Sequence, residues 1–248
     1  MRMLALPVDA SPGTAPAVLS TVPGVRVLYE APTLYRTWGK LIATPLAGGG
    51  DEVWKAGLCN RDLARNASGN IFCVASEGET SKLLRFSENL ASADTIIQGL
   101  PPAFGVAVDE SSVYVGAQSG LLRATSGFSG APENLYPFAV NTQLLRVGST
   151  LYFGSSTLRS SGSLLALNLE TDEVSELLPG VTPGSIHADD SHLYFSEWGK
   201  QTLWRVDFDG KNGIMWSLGL PYADVLAGND EFLFFTTDLD GRLFRLRK

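Results

Sequence analysis

Residues 185–210 read SIHADDSHLYFSEWGKQTLWRVDFDG, and the order of residue types in that stretch decides the fold. A short segment, Ser185–Ala188, runs into Asp189-Asp190. An aromatic segment, His192–Ser196, ends at Trp198-Gly199. A third, Thr202–Asp207, ends at Asp209-Gly210, and Ile214–Leu218 closes the unit. Leu203, Arg205 and Asp207 alternate with Trp204, Val206 and Phe208, which is the period of two expected of strands. Asp and Gly at the breaks supply turn chemistry, through side-chain hydrogen bonds to nearby backbone and through freedom of φ. The stretch therefore reads as short antiparallel strands joined by tight turns.

Working outward, Leu193-Tyr194 has counterparts at Leu34-Tyr35, Ile71-Phe72, Val113-Tyr114, Leu151-Tyr152 and Leu233-Phe234. The aromatic positions 35, 72, 114, 152, 194 and 234 are separated by 37, 42, 38, 42 and 40 residues, so the 248-residue chain holds about six units. No segment of twelve residues carries a helical period. Four short strands repeated six times predict an all-β fold, a six-bladed β-propeller with four antiparallel strands per blade, as a single domain over residues 1–248. The last unit stops after its third strand, Arg242–Leu246. Upstream, Ala17–Thr21 stands before Pro23-Gly24 much as the fourth strands Asp94–Gly99 and Ser175–Leu178 stand before their own turns. Residues 15–22 are therefore expected to close blade six, with residues 1–14 a flexible segment. An unclosed ring would leave strand edges unpaired.

At Leu193-Tyr194-Phe195-Ser196-Glu197-Trp198-Gly199-Lys200, followed by Leu203 and Asp207-Phe208-Asp209-Gly210, the chain resembles the YWTD repeat of low-density-lipoprotein-receptor-type propellers. Phe195 and Glu197 stand where that signature has Trp and Asp. Leu34–Lys40 and Phe234–Asp238 with Asp240-Gly241 are similar to weaker copies. The resemblance implies six blades and transfers no ligand. Bacterial propellers of this general type often resemble extracytoplasmic binding or scaffold proteins.

Composition narrows the function classes. Asp and Glu number 26 against 19 Lys and Arg, for a net charge of −7. Without any basic run, neither nucleic acid nor an anionic membrane surface is an expected partner. No apolar run reaches the eighteen residues of a spanning helix, so membrane insertion is not expected, and the chain is expected to be a monomer. Met1–Pro16 lacks the apolar core of a secretory signal. The setting is cytoplasmic on that reading, or extracytoplasmic (secreted or periplasmic) if a signal precedes this sequence. Cys59 and Cys73 lie fourteen apart with no histidine nearby, which does not suggest zinc. They read as two buried thiols in a sheet, or as an isolated disulfide.

Strand order places the chemistry. In a four-stranded meander, loops after strands two and four share one end, and loops after strands one and three share the other. The first end gathers the loops at Trp38–Lys40, Glu77–Glu79, Gln118–Gly120, Ser156–Ser161, Trp198–Lys200 and Asp238–Asp240, with the connections at Pro101-Pro102, Pro137–Asn141, Pro183 and Pro221-Tyr222. Rigidly held loops carry most binding residues, so Trp38, Lys40, Trp198, Lys200, Tyr222 and Asp224 are the candidate ligand-binding set. The plainer account is that each tryptophan covers its neighbouring blade and each lysine is solvated. Arg65, Arg146 and His187 align at one innermost-strand position beside Leu28, Ala107 and Ala227. Facing the channel they would favour an anion; facing a neighbouring blade they would be ion-paired. His187, Asp189, Asp190 and His192 are not expected to bind a metal, because Asp189-Asp190 falls in a tight turn. No catalytic residue and no cofactor is assigned, since nucleophile-elbow, zincin, phosphate-loop and dinucleotide motifs are missing. The favoured function is a non-enzymatic propeller recognising a protein, peptide or glycan on its loop end. The alternative is a hydrolase or lyase at the central channel, with or without a metal, using carboxylates such as Asp62 and Asp224.

Overall fold

A computed structural model describes residues 3–5, 17–20, 26–30, 33–37, 41–45, 52–53, 59–87, 92–125, 131–157, 161–197, 200, 202–217, 223–228, 231–237 and 243–248. The chain divides into two units, Met1–Leu100 and Pro101–Lys248, taken here in turn.

In the first unit, β1 (Met3–Ala5) pairs with β2 (Ala17–Ser20). A four-stranded antiparallel meander follows: β3 (Arg26–Glu30), β4 (Thr33–Thr37), β5 (Leu41–Pro45) and β6 (Glu52–Val53). The next comprises β7 (Leu63–Arg65), β8 (Ile71–Glu77), β9 (Thr80–Phe86) and β10 (Ala93–Leu100). Leu41, Leu63, Ile71, Leu84 and Phe86 form the core of this unit, with Tyr35 packed against it.

Cys59 and Cys73 lie in that core joined by a disulfide, with Cα atoms 5.9 Å apart. Of the two sequence readings, free buried thiols is therefore the one set aside. Arg61 N donates to Val74 O and Val74 N to Asp62 O, so the chain ahead of β7 keeps running along β8 and carries Cys59 to Cys73. Spacing alone does not encode that delivery, because it depends on the register of one strand against another.

At the amino terminus Ala17–Ser20 is a strand, as expected, and it pairs with Met3–Ala5 in the register Leu4–Val18 and Ala5–Ala17. Residues 1–14 thus contribute a strand where a flexible segment was expected. Met3-Leu4-Ala5 is apolar, and closing so short a loop costs little entropy.

The second unit begins with β11 (Ala103–Val108), β12 (Ser112–Ala117), β13 (Gly120–Thr125) and β14 (Glu133–Tyr136). Then come β15 (Leu145–Val147), β16 (Thr150–Thr157), β17 (Ser161–Asn168) and β18 (Val174–Pro179). The third meander is β19 (Pro183–Ala188), β20 (His192–Glu197), β21 (Thr202–Asp207) and β22 (Ile214–Ser217). Last are β23 (Ala223–Gly228), β24 (Phe232–Thr237) and β25 (Leu243–Arg247), a sheet of three. Among the described residues the fold is all-β, without a helix.

Every repeated aromatic lies on the second strand of its sheet. Opposite Tyr35, Phe72, Tyr114, Tyr152, Tyr194 and Phe234 stand Leu28, Ala64, Ala107, Leu145, His187 and Ala227. Phe72, Tyr114, Tyr152 and Tyr194 are buried. Neighbouring sheets of the second unit share cores: Tyr114, Leu144, Leu151 and Phe153 in one cluster, Tyr152, Ile186, Leu193 and Phe195 in the next. Gly154 marks a close approach between such elements. A Cβ there would lie 2.5 Å from Thr142 Cγ2, while Gly154 N donates to Thr142 Oγ1 at 2.8 Å.

Candidate functional site

At the end where first strands turn into second strands, aspartate and tyrosine form a repeated clasp. Asp189 Oδ1 accepts from the backbone N–H groups of Ser191 and His192, closing the β19–β20 hairpin, while Asp189 Oδ2 accepts from Tyr194 Oη at 2.8 Å. Asp109 does the same two units earlier, accepting from Ser111 N, Ser112 N and Tyr114 Oη. The first clasp has an added cation. Lys248 Nζ lies 2.7 Å from Asp189 Oδ2 and 4.8 Å from the centre of the Tyr194 ring, with only 8% of its side chain exposed.

Burial pushes the Asp189 carboxyl up, but hydrogen bonds from Lys248, Ser191, Tyr194 and His192 outweigh it and hold the group well below the usual carboxylate range. Burial also lowers His187, to about 4, assisted by the Lys248 charge and opposed by Asp189. His187 is therefore a neutral imidazole at pH 7. Its Nε2 lies against Gly228, where an added Cβ would come within 2.7 Å.

At the opposite end, Glu197 organises the β20–β21 hairpin. Its side chain is 1% exposed and accepts from Lys200 Nζ at 2.5 Å, Thr202 Oγ1 at 2.8 Å and Trp204 Nε1 at 3.0 Å. Burial again raises the carboxyl, and those three donors bring it below its ordinary value. In the sequence Glu197 stands out only as a departure from the repeat signature. A lone acidic residue at the end of an apolar strand, three residues before a lysine, was the available signal for a buried, neutralised carboxylate.

The expected ligand-binding residues fare differently. Lys200 is exposed and bound to Glu197, which makes it part of a hairpin closure. Asp224 lies on β23 opposite Thr236. Trp38, Lys40, Trp198 and Tyr222 lie outside the described residues.

The channel set is corrected. Arg65 pairs with Ile71 and Arg146 with Leu151, one position beyond the residues that face the anchors, whereas His187 faces Tyr194 itself. With a period of two, both arginines project to the opposite side of their strands from the His187 position. The turn between Arg65 and Ile71 holds one more residue than the turn between Ala188 and Leu193, which shifts Arg65, whereas the turn after Arg146 has the same length and Leu145 is the residue equivalent to His187. Arg65 Nε donates to Gly69 O at 3.4 Å, and the exposed Arg146 donates to Val108 O at 3.5 Å. Asp62 is buried, with its carbonyl accepting from Val74 N. His187 and His192 do not share a ligand set. His192 lies 3.8 Å from Asp189 Oδ1 and 3.6 Å from Asp207 Oδ1, while Asp189 is already occupied on both oxygens.

No protein-family model and no curated protein matches the chain. Solved structures do. A chain of the nidogen/laminin complex is 14% identical with a TM-score of 0.70, the match covering 87% of this chain and 88% of that one. The fold is that of the β-propellers. An oligogalacturonate lyase in complex with manganese is 13% identical at a TM-score of 0.68, over 93% of this chain and 78% of its own. TolB from Acinetobacter baumannii is 15% identical at 0.61, over 82% and 57%. These neighbours include one chain of a two-protein complex and a lyase, and identities this low carry the fold alone.

Proposed function

We propose that the chain is a six-bladed, YWTD-like β-propeller that binds a protein, peptide or glycan on the loop end, after strands two and four, without catalysis. One observation carries the choice of binding over catalysis. Asp109, Asp189 and Glu197 spend their oxygens on hairpin N–H groups, tyrosine hydroxyls, lysines and an indole, so the shifted carboxylates are structural fasteners. Shifted carboxylates are the usual pointer to acid–base chemistry, and here the pointer leads to hairpin closure. The resemblance to an oligogalacturonate lyase supports the rival channel chemistry, which is therefore the control.

Ring closure belongs to the same reading. Ala17–Ser20 uses one edge on Met3–Ala5, and its other edge is proposed to add the fourth strand to β23–β25, making one domain of residues 1–248. A buried disulfide supports an oxidising, extracytoplasmic setting.

The test joins two assays on the whole chain. Incubation with oligogalacturonate and manganese is expected to release no unsaturated product; release of it overturns the non-enzymatic reading. For any ligand found, Trp38→Ala or Trp198→Ala is expected to weaken binding by about tenfold or more, as for central aromatic anchors. Affinity untouched by either change moves the site away from the two tryptophan loops.

A further inference from the structure

Three loops of the second unit are stitched together at the loop end. Gln118 N donates to Pro102 O at 2.9 Å, and Val140 N donates to Ala117 O at 2.9 Å. Asn134 Nδ2 donates to Ser119 O at 3.1 Å, and Val140 forms a bridge to Ser155 on β16. The β12–β13 turn, the approach to β11 and the connection from β14 to β15 thus form one rigid patch.

Phe138 stands on this patch with 54% of its surface exposed. Its ring is braced rather than loose. Tyr136 meets it edge-on with centroids 5.3 Å apart, and Tyr136 in turn meets Phe153, a fully buried residue, at 5.6 Å. A phenylalanine held in water against a tyrosine that itself rests on a buried ring is restrained before any ligand arrives, which lowers the entropy cost of binding. Among the described residues of these stitched loops, Pro101, Pro102, Gln118, Ser119, Pro137 and Asn141 are exposed or half-buried and carry no charge.

We propose that Phe138 is the anchor of a binding patch for a neutral oligosaccharide. A sugar ring offers a flat face of C–H groups to an aromatic face and a fringe of hydroxyls to amide and hydroxyl side chains. That fringe needs donors and acceptors without net charge, as Gln118 and Ser119 provide. An acidic or basic peptide, or a uronate chain, would find no counter-charge among these residues. The inference rests on the loop-end binding reading and adds to it an anchor and a ligand class.

The experiment uses the whole chain on a printed array of neutral β-glucan, xylan and mannan oligosaccharides. Oligogalacturonates and a panel of peptides serve as the other arms, and the strongest hit is titrated calorimetrically. The expected result is selective capture of a neutral oligosaccharide. Phe138→Ala should lower its affinity by about tenfold or more, and Phe138→Tyr should retain it within about threefold, both with unchanged melting temperature. Neutral-sugar binding that survives Phe138→Ala overturns the proposal, as does capture of oligogalacturonate alone or of nothing on the array. Peptide capture that depends on Phe138 overturns the sugar assignment and leaves loop-end binding standing. Capture lost by none of the Phe138, Trp38 and Trp198 changes defeats both.

Discussion

Tyr194 is fastened twice, by burial of its ring and by the hydroxyl it gives to Asp189, and the two contributions separate by mutation. Tyr194→Phe removes only the hydrogen bond and should cost about 1–2 kcal/mol in chemical denaturation. Tyr152 occupies the same place one unit earlier, but Val147 stands where Asp189 would be, so Tyr152→Phe should cost less than about 1 kcal/mol. Equal losses would show that the aspartate clasp contributes nothing. Tyr194→Ala should cost about 3–5 kcal/mol, the range for emptying a large core site. His187 gives the chain a pH dependence with a definite sign. Folded, it stays neutral down to about 4; unfolded, it takes a proton near 6.5. Protons therefore favour the unfolded state between those values, and stability falls as pH drops through that window, by about 3 kcal/mol. Asp189 extends the loss below its ordinary carboxylate value, because its folded form resists protonation. Since the other sheets have Leu or Ala opposite the anchor, His187→Leu should flatten the upper part of the curve and leave the lower part. An unchanged slope between pH 6.5 and 4 in urea melts would refute the assignment.

Strands and their turns explain what could and could not be read from the chain. The anchors were legible because burying one aromatic per second strand leaves a period near 40 that loop variation does not erase. Strand positions such as Thr202–Asp207 were legible from alternation alone. Register was not: a turn with one added residue moved Arg65 to the other face of its strand, and a one-residue slip reverses every side chain. The disulfide was hidden for the same reason, since Cys59 meets Cys73 only through pairing across β8. Of the candidate site, the loop end itself was legible from strand order, but the brace beneath Phe138 was not, because Tyr136 and Phe153 come from different sheets. Two element-scale outcomes follow. Cys59→Ser with Cys73→Ser should lower stability by about 3 kcal/mol, the loop-closure value for a crosslink of this span, read from urea denaturation. Gly154→Ala should cost about 1–3 kcal/mol, because the new methyl would meet Thr142 Cγ2 at 2.5 Å and Pro183 Cβ at 3.0 Å. A neutral Gly154→Ala would mean that the approach at Thr142 is looser than drawn.

At the scale of the whole molecule, six equivalent units are proposed to be completed by a strand from the other end of the chain. Among the described residues five sheets have four strands, β23–β25 has three and β1–β2 has two. Repeat folds draw stability from contacts between neighbouring units, and an unpaired edge at the seam would forfeit them. Ala17–Ser20 is a strand with one edge engaged by Met3–Ala5. The most direct test compares thermal melts of the full chain with chains lacking residues 1–12 and residues 1–22. The shorter deletion removes only β1 and should lower the melting temperature by no more than about 4 °C, on the order of 1 kcal/mol for a chain of this size. The longer one also removes Ala17–Ser20, the proposed closing strand, and should lower it by about 10 °C or more, as several apolar side chains worth about 1.5–3 kcal/mol each return to water. Equal melting temperatures for the two deletions would contradict closure by Ala17–Ser20.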